Sequence, residues 1–231
     1  MKIVGFQKFS TVDYPGYICA VVFLGGCNMN CGFCHNLDTA VKKSEQRVDT
    51  DTILHFLEKR KHLLDAVCIS GGEPTLYGDE LVAFIAEIKR MGYKLKLYTN
   101  GSRPEVVDTL LENQLLDYVA MDVKAPWDRY EEICRCPVNV DNIRATIELI
   151  NNSGIRYEYR TTYIPSLFVG DIKKIASSIK GARKYVLQQF RIEDGANDAR
   201  EHYGMPHGKD YIMNTVSEIR DLFGAVDIRG I

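Results

Sequence analysis

The chain has 231 residues, 45% of them hydrophobic, enough for one domain that buries roughly 70 to 75% of its unfolded surface. Its 29 Lys and Arg nearly balance 31 Asp and Glu, a formal net charge of -2, which excludes a global basic field of the kind that gathers nucleic acid or anionic membrane. Seven cysteines, an odd number with three tightly clustered, suit metal ligation in a reducing compartment better than a disulfide framework.

The N-terminal stretch lacks the long apolar core and small-residue cleavage site of a signal peptide, and the apolar run at 19–24 is too short to span a bilayer. A cytoplasmic protein is expected. The first predicted strand, about 18–24, is continuously apolar, as in a parallel sheet covered on both faces. Behind it come Gly25 and Gly26, then Cys27, Cys31 and Cys34 in one short loop. Three thiolates so close together point to a metal. Around a four-iron cluster they would leave one iron without a protein ligand, and an open iron is a place for chemistry. A zinc knuckle completed by His35, or three unrelated cysteines, are the alternatives that spacing leaves open.

Beyond a polar, irregular stretch at 37–48, a helix is predicted to begin near Thr50 or Asp51, with Ile53, Leu57 and Leu64 on its buried face. The second strand, about 66–70, ends in Gly71-Gly72-Glu73-Pro74-Thr75. Two glycines let a backbone approach a ligand closely and the proline stops the strand, although such a run is also an ordinary turn. A helix over about 79–91 buries Leu81, Phe84, Ile85 and Ile88 and stops at Gly92. The third strand, about 94–98, leads into Thr99-Asn100-Gly101, with Ser102 and Pro104 suited to a helix start.

The fourth strand, about 117–121, runs into Asp122-Val123-Lys124. A carboxylate and an ammonium two residues apart on extended backbone point the same way, either into a site or as an exposed ion pair. Trp127 lies in the following loop, as a packed lid or a partner contact, and Cys134 and Cys136 read as ordinary partly buried thiols without a role. A helix at about 140–152 presents Ile143, Ile147 and Ile150. The fifth strand, about 156–163, contains Arg160, whose guanidinium needs a carboxylate or comparable partner if buried.

A helix at about 171–179 and a sixth strand at about 184–190, with Gln189, follow. Residues 191–209 form an aperiodic loop in which His202 and His207 are given no role, before a last helix at about 211–223 and a short final strand at 225–231. Six strand-helix units with each candidate ligand at a strand's C-terminal end describe an α/β parallel barrel or partial barrel in a single domain, 1–231.

The gaps of three and two residues in the cysteine motif, with Phe33 before the last cysteine, resemble the signature of radical S-adenosylmethionine (SAM) enzymes. Val12-Asp13-Tyr14-Pro15-Gly16 and Cys34-His35-Asn36 resemble the activating enzymes of glycyl-radical proteins, most of all those that activate anaerobic ribonucleoside-triphosphate reductase. The resemblance, over about 13–189, implies a partial (βα)6 barrel open on one side, with a 4Fe-4S cluster on Cys27, Cys31 and Cys34. In that superfamily the open iron chelates SAM, and reductive cleavage yields a 5'-deoxyadenosyl radical; no side chain need be an acid or base. By the same resemblance Gly71, Gly72, Glu73, Pro74, Thr99 and Asn100 line the SAM site. Asp122, Lys124, Arg160 and Gln189, with Phe33 and His35, complete it.

A flavodoxin or ferredoxin donor and a glycyl-radical protein substrate, anaerobic ribonucleotide reductase first, are the implied partners, with neither nucleic acid nor membrane. Many such activases carry an acidic cation ligand where this chain has Tyr98, a departure that leaves open whether a monovalent cation sits near Tyr98 and Asp122. Activation of pyruvate formate-lyase is the alternative within the family, and a non-catalytic iron-sulfur or zinc-binding module the alternative outside it.

Overall fold

A computed structural model of the chain describes residues 1–34, 47–191 and 204–231. By packing, Met1–Asn28, Asn36–Ala120 and Asp141–Arg156 make one unit, and Met29–His35, Met121–Val140 and Tyr157–Ile231 the other. Within each unit the strands lie in chain order.

In the first unit β1 (Ile3–Ser10) runs antiparallel to β2 (Cys19–Leu24), pairing Ile3 with Leu24 and Ser10 with Cys19. β2 is parallel to β3 (Ala66–Gly71), and β3 to β4 (Lys94–Thr99), with Cys19 opposite Ala66 and Ala66 opposite Lys94. Cys19, Ala20, Val21, Val22 and Leu24 are all fully buried, which is why β2 is apolar without alternation. β1 is an addition to the predicted elements. Its polar, exposed Gln7 and Lys8 and two register shifts interrupt the period-two pattern that marks a strand. β5 (Tyr118–Asp122) is divided by sequence between the two units.

The helices of this unit follow the predicted faces. Helix Thr50–Lys59 starts after Asp49, whose carboxylate accepts the Thr52 N–H at 3.2 Å, satisfying one of the donors every helix start leaves over. It buries Ile53 and Leu57; Leu64 is buried as well, but in the turn beyond the helix. Helix Gly78–Arg90 buries Leu81, Phe84, Ile85 and Ile88, each worth about 1.5 to 3 kcal/mol of transfer free energy. Helix Pro104–Glu112 starts on its proline, and helix Val140–Asn152 has the predicted bounds and buries Ile143, Ile147 and Ile150.

One buried cation organises the lower core of this unit. Lys96 is 1% exposed, and its ammonium donates to the Asp13 carbonyl at 2.8 Å while lying 4.4 Å from the Tyr98 ring and 4.8 Å from the Tyr118 ring. Aromatic faces and one carbonyl thus stand in for the lost water. The Tyr98 hydroxyl donates to the same carbonyl at 2.7 Å. Nearby, Tyr14 is fully buried; burial pushes its hydroxyl up to about 12, against the hydrogen bond from Arg156.

In the second unit β6 (Arg156–Tyr163), β7 (Tyr185–Gln189) and β8 (Val226–Arg229) are parallel, with Tyr159 opposite Tyr185 and Tyr185 opposite Val226. Glu158 is fully buried on β6. The Arg229 guanidinium holds both of its oxygens, at 2.9 and 2.7 Å, and Lys184 stands 3.9 Å away. Helices Tyr130–Cys134, Val169–Ser178 and Lys209–Ile219 pack in this unit. The last starts two residues earlier than predicted and gives way to a short 3-10 turn, Arg220–Leu222, which leaves Phe223 half-buried beyond its end. His202 falls outside the described residues.

Candidate active site

The Gly-Gly-Glu-Pro run lies against the backbone that leads into the cysteine loop. Gly72 N–H donates to the Leu24 carbonyl and Glu73 N–H to the Gly26 carbonyl, each at 2.8 Å. A Cβ on Gly72 would stand 1.9 Å from the Gly26 oxygen and 3.3 Å from Cys27 Cβ; one on Gly71, at φ +122°, would stand 2.1 Å from the Leu24 oxygen. The close approach that the glycines permit is therefore to the chain's own backbone next to Cys27.

Glu73 is fully buried, and its carboxylate is engaged inside the protein. One oxygen accepts from Thr75 N–H at 3.1 Å, Thr75 Oγ1 at 2.6 Å and Thr99 Oγ1 at 2.8 Å; the other accepts from Asn100 N–H at 2.5 Å. Burial raises its pKa, and these donors only partly offset the rise. The side chain ties the end of β3 to the end of β4. Pro74, also buried, opens the short turn Pro74–Tyr77.

Beyond Thr99, the Asn100 side chain meets the loop of the first cysteine. Its Nδ2 lies 3.0 Å from Asn28 Oδ1 and 3.9 Å from Cys27 Sγ, and Asn28 Nδ2 donates to Ser102 Oγ at 2.9 Å. Neither Asn28 nor Ser102 stands out as a site residue in the sequence, because an asparagine after a cysteine and a serine before a helix have no distinguishing pattern.

In the second unit Asp122, Lys124 and Arg160 form one ionic group. Arg160 reaches Asp122 Oδ1 through Nε at 2.9 Å and Nη2 at 2.8 Å, and Lys124 Nζ lies 3.3 Å from Oδ2. Backbone register brings them together, since Val123 N–H donates to the Arg160 carbonyl at 2.8 Å. The carboxylate that Arg160 requires is Asp122. Nor is Asp122–Lys124 an exposed surface pair: Lys124 is 15% exposed, its N–H donates to the Tyr130 hydroxyl at 3.1 Å, and its Nζ lies 5.9 Å from the Phe33 ring. Burial works to raise Asp122, but the charges of Arg160 and Lys124 outweigh it and hold the carboxyl below the usual carboxylate range. For Lys124, burial is outweighed by Asp122 and Cys31, and its pKa is raised.

Cys31 and Phe33 are buried. The Cys31 thiol accepts a hydrogen bond from Cys134, which more than offsets burial and, with the Lys124 charge, lowers its pKa to about 7. The Cys134 thiol is held up by the same bond and by burial, and its carbonyl accepts Asn30 N–H at 3.1 Å. Cys134, which the sequence leaves without a role, thus stands beside a predicted metal ligand. Cys34 N–H donates to the Cys31 carbonyl at 3.1 Å. Among the described residues no three His, Cys, Asp or Glu side chains form a ready-made metal-binding group; His35 lies outside the described residues. Trp127 stacks on Tyr130 with ring centroids 5.8 Å apart.

At the end of β7, Gln189 Nε2 donates to the His207 carbonyl at 3.0 Å. Gln189 Oε1 is buried and has no hydrogen-bond partner among the described residues. His207 is itself held, by the Leu167 carbonyl 2.9 Å from Nε2 and by the rings of Tyr163 and Tyr211 at 4.5 and 4.6 Å.

The family profile of the Radical SAM superfamily matches residues 21–179. A protein of Methanocaldococcus jannaschii assigned as a glycyl-radical enzyme activating enzyme is 35% identical over 97% of this chain and 98% of its own length. The pyruvate formate-lyase 1-activating enzyme of Escherichia coli is 31% identical over 71% of this chain and 68% of its own. Among solved structures, SuiB of Streptococcus suis superposes with a TM-score of 0.65 at 14% identity, over 91% of this chain; the chain spans about half of SuiB, 48% of its length. On the family match, over more than half of its length, and the near full-length relative, this chain is an enzyme of the Radical SAM superfamily, with its α/β partial-barrel fold and its two cofactors, a 4Fe-4S cluster and S-adenosylmethionine.

Proposed function

We propose that this chain, an activating enzyme of the glycyl-radical type, acts on an anaerobic ribonucleoside-triphosphate reductase and removes a hydrogen atom from one of its glycines. The observation that carries the reading is the 35% identity to the M. jannaschii activating enzyme along 97% of the chain. The narrower choice of reductase rests on the Asp13-Tyr14-Pro15-Gly16 stretch of the resemblance.

The residues fit the cofactors. Three thiols with the family's spacing suit a cluster that keeps one iron open, and the Gln189 Oε1 acceptor, unpartnered among the described residues, suits a ligand that carries an amino group. Cys27, Cys31 and Cys34 would hold the cluster. Pro74 and the glycine edge, Thr99, Asn100, Asp122, Lys124, Arg160 and Gln189, with Phe33 and His35, would surround SAM. When bound, the cluster and SAM supply one-electron cleavage of a sulfonium and the hydrogen abstraction that follows.

The chain's own residues prepare the site. Lys124 and Arg160 bring two cationic side chains to Asp122, and cations held in this way suit an incoming α-carboxylate. Glu73 orders the backbone of Thr99 and Asn100. No helix among the described residues is long and apolar enough to cross a membrane. The electron donor is a flavodoxin or ferredoxin.

The test is a reconstituted mixture of this protein, SAM, a low-potential reductant and the reductase, read by electron paramagnetic resonance. A glycine-centred doublet on the reductase is expected, with none when pyruvate formate-lyase replaces it. The similarity to the E. coli activase makes pyruvate formate-lyase the second reading, and the reverse result would move the assignment there.

A further inference from the structure

Cys27 is followed by Asn28, and both face the turn at the end of β4. Three polar side chains there close a ring. Ser102 N–H donates to Asn100 Oδ1 at 2.9 Å, Asn100 Nδ2 donates to Asn28 Oδ1 at 3.0 Å, and Asn28 Nδ2 returns to Ser102 Oγ at 2.9 Å. The ring fixes which end of the Asn100 amide is which. Because a backbone N–H must meet the oxygen, the nitrogen is the end that faces the cysteine. One hydrogen of Nδ2 goes to Asn28, and the other is left for Cys27 Sγ at 3.9 Å, a longer separation than in an N–H···O bond because sulfur is the larger atom.

Asn100 is not free to turn away. It is 4% exposed, its N–H is fastened to the buried Glu73 carboxylate at 2.5 Å, and the next turn is pinned by Gly101 N–H on Thr99 Oγ1 at 3.0 Å and by Thr146 Oγ1 on the Gly101 carbonyl at 2.8 Å. The donor is thus built in before any cofactor arrives.

We propose that Asn100 is a positioning residue that holds Cys27 and, by donating Nδ2–H to its sulfur, raises the reduction potential of the cluster. The inference rests on Cys27 being a cluster ligand. Its physical basis is that the reduced cluster carries one more negative charge than the oxidised one, so an N–H dipole aimed at a ligand sulfur stabilises the reduced form more. Glu73 then acts one step further out, by holding the backbone from which Asn100 reaches the thiolate.

The experiment is anaerobic spectroelectrochemistry of the reconstituted full chain, with iron counted in each sample. Asn100→Leu keeps the side chain's branching at Cγ, removes the donor, and is expected to make reduction about tenfold less favourable, a fall of about 59 mV for a one-electron couple. Ser102→Ala keeps the backbone N–H on Asn100 Oδ1 and therefore the donor on the sulfur, and its potential is expected to stay with the wild type. A fully loaded Asn100→Leu protein with the wild-type potential overturns the inference, as does an equal fall in Ser102→Ala. Should Asn100→Leu fail to load or fold, wild-type protein containing asparagine labelled with 15N in its side chain decides instead. Pulsed electron paramagnetic resonance of the reduced cluster is expected to show coupling to the label, and no coupling overturns the inference. A wild-type chain that binds no iron fails differently, by removing Cys27 as a ligand.

Discussion

Gly72→Ala adds one methyl group at the most constrained point of the site. The new Cβ would lie 1.9 Å from the Gly26 oxygen and 2.6 Å from the Gly26 carbonyl carbon, so the two backbones must part by roughly 1 Å, and no rotamer change can relieve a clash between main chains. Parting them breaks the 2.8 Å bond from Glu73 N–H to Gly26, at about 1 kcal/mol, and adds overpacking strain of about 1 to 3 kcal/mol. The sum, about 2 to 4 kcal/mol, lowers the melting temperature of a chain this size by about 4 to 16 °C. Thermal unfolding of the iron-free protein by circular dichroism measures it. Iron content after reconstitution should fall as well, because Gly26 directly precedes Cys27. Gly170→Ala is the control: it lies in a helix with open space around the new carbon and should gain up to about 1 kcal/mol. A Gly72→Ala protein that melts within about 1 °C of wild type would refute the argument that this contact holds the turn against the cysteine loop.

Two further predictions concern the cysteines and the half-buried ionic group. Replacing Cys27, Cys31 or Cys34 by Ala should abolish the cluster in anaerobically reconstituted protein, whereas Cys134→Ala should keep about four irons despite the lost bond to Cys31; equal iron loss from Cys134→Ala would make that thiol a ligand. Because the folded-state pKa of Asp122 is depressed, its contribution to stability is present above the unfolded value of about 3.9 and is lost as pH falls through the lower folded value. Asp122→Asn should therefore flatten the acid limb of stability measured by urea unfolding from about pH 2.5 to 6, and should cost about 1.5 to 3 kcal/mol at neutral pH by removing the charge that Arg160 and Lys124 meet. An acid limb as steep as that of wild type would count against this account.

Period and local chemistry made β2, helix Val140–Asn152 and β6 legible, since each depends on a continuous apolar run, a helical face, or a strand bounded by Gly154 and Pro165. β1 was not, because Gly5 and its two register shifts interrupt the alternation that identifies a half-covered strand. At the site, residue types and their order along the chain could be read, but partners could not. Glu73 looked like a ligand-facing residue in a glycine-rich turn, while its donors come from Thr75, Thr99 and Asn100. Arg160 required a carboxylate, yet nothing local indicates that Asp122, 38 residues earlier, supplies it. By the resemblance Tyr98 stands where many activases are expected to carry an acidic residue, and only the fold shows its hydroxyl fastened to the Asp13 carbonyl.

The pairing of Glu158 with Arg229 has a consequence for synthesis. The carboxylate precedes its guanidinium by 71 residues, so on the ribosome β6 emerges well before the side chain that takes both of its oxygens. A buried carboxylate without its partner costs about 3 to 5 kcal/mol, a large share of what holds a domain of ordinary stability together. Lys184 comes earlier in the chain than Arg229 and lies 3.9 Å from the carboxylate, so Glu158 is partly compensated before β8 is made. What β8 adds is the bidentate contact of Arg229 with both carboxylate oxygens, so its docking is the step of sheet assembly that this ion pair rewards.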